Sequence, residues 1–226
     1  MKRTARGGLL STAIIALLLA TGCTVAPPEI LESRVELRLV DDRDTGERYE
    51  QLSVFVLGRD DDGIDDLQFL YVVHDESNLY WKLTSDRWQR LEEGGGTWIG
   101  SSGLTMADYG PIPGGTYRLL LIDAAGERDE AEVSVAGADV DLAEVEFPRL
   151  EAADERAVLT GPENQIVLRV LDSRGRRSRA VSAPSGTYRW EYLLGEQRDP
   201  GGATIYLEIE PSDGRVPRRI SGPYRP

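Results

Sequence analysis

Beyond residue 30, apolar and polar side chains alternate along much of the chain with a period of two. "VELRLV" (35–40), "LSVFVL" (52–57), "LQFLYVV" (67–73), "YRLLLI" (117–122) and "AEVSVAG" (131–137) place aliphatic, β-branched and aromatic residues in short runs of this kind. "QIVLRVL" (165–171), "GTYRWEYLL" (186–194) and "ATIYLEIE" (203–210) repeat the habit further on. Such runs, bounded by Gly, Asp and Pro, read as strands with one face buried. No stretch carries a capped amphipathic helix. The pattern predicts an all-β protein built of two antiparallel β-sandwich domains.

The amino terminus breaks the pattern. Lys2, Arg3 and Arg6 precede an apolar run from Leu9 to Ala20 interrupted by Ser11 and Thr12, which reads as the basic and apolar regions of a secretory signal. The run is shorter than the roughly 20 residues a membrane-spanning helix needs. It ends in Ala20, Thr21, Gly22 and Cys23, the only cysteine of the chain. This ending resembles the lipobox of bacterial lipoproteins, although Ala20 stands where that family prefers leucine. The resemblance implies removal of residues 1–22 and acylation of Cys23 by palmitate-type chains, with 23–29 as a lipidated tether. An ordinary secretory signal with an unrelated cysteine is the alternative. Thr24, where aspartate marks inner-membrane retention in the resembling enterobacterial lipoproteins, favours the outer membrane.

Charge divides the remainder. Residues 1–22 hold three basic and no acidic residues, so removing them leaves 23 basic against 39 acidic, net −16. Such a chain does not suit nucleic acid or attraction to anionic lipid headgroups. Residues 23–141 carry 10 basic and 26 acidic side chains, whereas 142–226 carry 13 of each. The step predicts an acidic domain over 30–137, a smaller domain over 142–211 and a basic tail over 212–226.

Two short patterns recur in both parts: "PGGTYR" (113–118) with "PSGTYR" (184–189), and "LIDAAGER" (121–128) with "VLDSRGRR" (170–177). The first predicts a turn entering a strand, the second a hairpin tip at which Asp caps its own turn. "PIPGGTYRLLLIDAAGE" resembles the P-x-G-x-Y strand of bacterial immunoglobulin-like and transthyretin-like modules. "VFVLGRDDDGIDDL" is similar to the B to C turn of immunoglobulin-like domains. The resemblance implies modules that position and bind.

Candidate chemistry is sparse. An EF-hand alignment of "DDDGIDD" (60–66) on Gly63 puts Gly58 and Phe69 where carboxylates are required. The stretch therefore reads as a solvated hairpin tip, with a calcium site of another kind as the alternative. His74, the only histidine, has Asp75 and Ser77 nearby, but no G-x-S-x-G elbow exists, and a strand-end histidine without catalytic duty is expected. "EGGGTWIGSSG" (93–103) lacks the G-K-[ST] of a phosphate loop. Arg174, Arg176, Arg177 and Arg179 read as a solvated edge. No metal centre, cofactor or catalytic residue is assigned. Residues 85–109 hold Trp88 and Trp98 and predict a hairpin with Trp98 inside; Trp88 and Tyr109 are the candidate exposed anchors for a partner. The expectation is a lipid-anchored envelope protein that binds a protein or cell-wall partner without catalysis. An envelope enzyme or accessory acting on glycan is the alternative.

Overall fold

The computed structural model describes residues 26–153, 155–172, 177–195, 202–211 and 216–225. Residues 1–25, which hold the expected signal and Cys23, and residues 173–176, expected as a hairpin tip, lie outside the described residues. The protein is nearly all β. The strands of its first part are β1 (Glu29–Asp42), β2 (Arg48–Arg59), β3 (Leu67–His74), β4 (Leu79–Thr84), β5 (Gln89–Glu93), β6 (Gly96–Leu104), β7 (Gly115–Asp123) and β8 (Arg128–Val135). There follow β9 (Arg149–Ala153), β10 (Arg156–Thr160), β11 (Ile166–Leu171), β12 (Arg177–Ala183), β13 (Gly186–Arg189), a one-turn helix α1 (Trp190–Leu194), β14 (Thr204–Ile209) and β15 (Arg218–Tyr224).

One eight-stranded sheet runs through both parts in the order β12-β11-β14-β15-β1-β2-β6-β5. A four-stranded sheet, β4-β3-β7-β8, and a three-stranded one, β13-β10-β9, complete the architecture. Alternation explains the first core. Leu37 and Leu39 from β1 and Leu52, Val54 and Val56 from β2 project to one face, where they meet Leu70, Val72, Tyr117, Leu119 and Leu121 of the four-stranded sheet. A second core gathers Ile166, Leu168, Val170, Ile205, Leu207 and Ile209 with Ala157, Leu159 and α1.

The two cores meet where β1 and β15 pair in parallel, Arg38 opposite Arg218 through Asp42 opposite Gly222. Beyond Leu39, which belongs to the first core, buried side chains here include polar ones. Ser221, fully buried, donates to Asp41 Oδ2 at 3.2 Å, and Arg48 reaches Asp41 Oδ1 at 3.2 Å. The segment 212–226, expected as a basic tail, thus contains a central strand.

Two other expectations change. "GTYRWEYLL" is not one strand: Trp190, Leu193 and Leu194 stand at i, i+3 and i+4, and helical winding turns all three into the second core. Residues 60–66 are not a hairpin tip but the crossing from β2 in the large sheet to β3 in the four-stranded sheet. The connection after residue 137 is fastened to the first core. Ala138 and Phe147 belong to that core, and Arg48 donates to the carbonyl oxygens of Leu142 and Ala143 at 2.9 and 3.3 Å.

Candidate binding surface

The four-stranded sheet carries apolar side chains on both faces. Its inner residues pack into the first core, and the register fixes what stands outside. Phe69 pairs with Thr84 and Ile122, Tyr71 with Lys82 and Leu120, and Val73 with Tyr80 and Arg118. On the β8 side Arg118, Leu120 and Ile122 oppose Glu132, Glu130 and Arg128. The outer face therefore has an apolar centre of Phe69, Tyr71, Val73, Leu120 and Ile122, all half-buried, with Tyr80 at one edge 64% exposed.

Charge rims this centre. Lys82 Nζ lies 3.9 Å from the Phe69 ring centroid and 5.4 Å from that of Tyr71, within cation–π range. Arg118 donates from Nε and Nη2 to Asp75 at 2.8 and 3.0 Å and from Nη1 to Glu130 at 3.3 Å. The guanidinium of Arg118 holds the Asp75 carboxyl below its usual range. An apolar centre inside a polar rim is the anatomy of a protein interface, with aromatic rings supplying rigid contact area. The signal was present in the sequence. "LQFLYVV" has apolar residues at consecutive positions, which puts apolar side chains on both faces of the strand.

The expected anchors lie elsewhere. Trp88 is not exposed: it is 7% accessible and part of the first core, its amide bonded to the Thr84 carbonyl at 3.0 Å by the turn that closes β4. That turn folds the indole inward. Trp98 is also buried, at 2%, with the Arg34 guanidinium 3.7 Å above its ring. Tyr109 is exposed and stacks on Tyr49, ring centroids 4.7 Å apart. Tyr49 and Tyr206 line a cavity of about 310 Å³ on the outer side of the large sheet, together with Arg38, Gln51, Arg169 and Glu208. Burial raises both tyrosine pKa values. Arg169 and Arg218 each bond Glu208, so that carboxylate is engaged.

The remaining candidates are placed as follows. His74 is 2% accessible, with Nδ1 at 3.0 Å from Ser77 Oγ and its ring 4.6 Å from that of Tyr117. Asp75 is turned away to Arg118, so the three residues form no relay. The glycine-rich stretch makes the tight β5–β6 turn, in which Gly94 and Gly95 take φ of 64° and 81°, values suited to a two-residue type I′ connection.

No protein-family model matches the chain. No curated relative matches it either. Among solved structures, the chain is similar to Tp47, the 47-kilodalton lipoprotein of Treponema pallidum, with 14% identity and a TM-score of 0.40. The match covers 89% of this chain and 52% of that one, so the chain spans about half the length of that protein.

Proposed function

We propose that this chain is a lipid-anchored protein of the bacterial envelope, held at the outer membrane through Cys23, that binds a protein partner without catalysis. The observation that carries the reading is the outer face of β3, β4 and β7, where Phe69, Tyr71, Val73, Leu120, Ile122 and Tyr80 form an apolar centre bounded by Lys82, Arg118, Arg128 and Glu130. Such a surface costs solvation free energy while uncovered and is the kind of patch that marks an interaction site. The lipobox-like ending at Cys23 supports the anchor, because acyl chains contribute about 0.8 kcal/mol per buried CH₂ and more than one chain holds a protein durably on a membrane.

Crosslinking in intact cells tests both halves of the proposal. The wild-type chain should incorporate labelled palmitate and yield a discrete crosslinked product. Cys23→Ala should lose the label, and Tyr80→Ser combined with Tyr71→Ser should lose the product while the melting temperature changes little. Label entering the Cys23→Ala chain would refute the anchor. An undiminished product from the tyrosine variant would refute the face.

A further inference from the structure

The crossing from β2 to β3 gathers acids, one of whose carboxylate oxygens is buried without a partner. Asp60 Oδ1 accepts the Asp62 amide at 2.8 Å, while Asp60 Oδ2 is fully covered and bonds to nothing among the described residues. Ligand oxygens of Asp60, Asp62 and Asp66 lie within 4.8 Å of one another. Two oxygens each about 2.4 Å from a common calcium ion are separated by at most about 4.8 Å.

A fourth acid arrives from another strand. Asp123, at the end of β7, is 2% accessible. Its Oδ1 accepts the Glu127 amide at 2.8 Å and caps the β7–β8 turn, but its Oδ2 is buried without a partner. The β3–β7 register sets Asp123 opposite Leu67, the residue next to Asp66. Asp123 is not one of the three residues whose oxygens share the 4.8 Å spacing; it stands beside them, and burial, followed by the negative charges of Asp66, Asp123 and Asp62, raises the Asp60 pKa. Among the described residues no arginine or lysine forms an ion pair with any of these four acids. The nearby Arg90 pairs instead with Asp65, whose side chain points into solvent.

We infer that Asp60, Asp62, Asp66 and Asp123 form a calcium site that ties the crossing loop to the end of β7. Buried carboxylate oxygens without donors are costly, and a hard divalent cation satisfies them together. Calcium suits this arrangement better than magnesium. It accepts six to eight oxygens in irregular geometry, whereas magnesium demands an octahedron and retains water. The EF-hand pattern fails on this stretch because the completing ligand comes from position 123 rather than from further along the same loop.

The test is calorimetric titration of the full chain in detergent with calcium chloride, alongside melting in EDTA, calcium and magnesium at equal ionic strength. One calcium ion per chain should bind, with a rise in melting temperature that magnesium does not match. Asp123→Asn should weaken calcium binding at least about tenfold, and Asp61→Asn, outside the four, should leave it unchanged. In EDTA, Asp123→Asn should melt no lower than the wild type, since the amide oxygen still accepts the Glu127 N–H and one like charge is gone. Asp62→Asn, at an exposed position, reads the same loss should Asp123→Asn fail to fold. No calcium heat, an equal effect of magnesium, or unchanged affinity in the aspartate variants would overturn the site.

Discussion

Pro113–Arg118 and Pro184–Arg189 are the same six-residue device in two surroundings. In each, the tyrosine hydroxyl turns back to donate to the proline carbonyl four residues earlier, Tyr117 to Pro113 at 2.7 Å and Tyr188 to Pro184 at 2.9 Å. Each lies at the start of a strand, β7 or β13. The surroundings then diverge. Tyr117 is fully buried in the first core against His74 and Trp81, whereas Tyr188 is half-exposed and stacks on Tyr192, 5.4 Å between centroids. Local sequence sets the turn and its hydrogen bond. What packs above the ring sets how much stability depends on it.

The largest separation of the two copies is expected on deleting the rings. Tyr117→Ala should cost about 3–5 kcal/mol, as for other buried aromatics, and Tyr188→Ala about half of that or less, because much of its area never leaves water. Denaturant titration measures both, and equal losses would mean that the second core leans on its tyrosine as heavily as the first. The glycines before the rings should differ next. Gly115 has φ of 140°, and a Cβ there would lie 2.7 Å from His74 Nε2, so Gly115→Ala should cost on the order of 1–3 kcal/mol. Gly186 has ordinary backbone, and its Cβ would meet nothing closer than 3.4 Å, so Gly186→Ala should stay within about 0.5 kcal/mol.

The hydroxyls add a pH dependence. Burial, and secondarily the charge of Glu50, pushes the Tyr117 pKa up to about 12 from 10.0. The folded state thus holds this proton more tightly than the unfolded chain does. Its contribution is complete below pH 10 and is lost as pH rises through about 12. Tyr117→Phe should lower stability by about 1–3 kcal/mol at neutral pH, by removing the bond to a partly buried carbonyl, and should flatten the decline between pH 10 and 12. A decline of unchanged steepness in Tyr117→Phe would assign the titration to other groups.

The same contrast between local pattern and surroundings explains what could be read in advance. Strands with one apolar face, such as Val35–Val40 and Tyr117–Ile122, announce themselves by their apolar runs. β15 does not, because its inward residues Arg219 and Ser221 sit at the polar junction of two cores and not inside either. β5, "QRLEE", is exposed throughout and offers no apolar face to detect. The turn entering a strand was legible in both of its copies, and the hairpin tip in its 121–128 copy, down to Asp123 capping its own turn. Trp88 was not, since the turn at Thr84–Arg87 decides its direction. The outer face of β3 and β7 lay in plain view as consecutive apolar residues. Only the register shows that half of them point to solvent.

The two halves also differ in their exposed aromatics, and this offers the most direct test of the proposed function. Tyr80 stands beside a broad apolar face, whereas Tyr192, 54% exposed, has the stacked Tyr188 ring as its aromatic neighbour. A photoactivatable phenylalanine analogue placed at position 80 or at position 192 of the full chain, in intact cells, reports which surface meets a partner. The account predicts a discrete protein adduct from position 80 and none from position 192. Adducts from 192 alone, or from neither position, would contradict it.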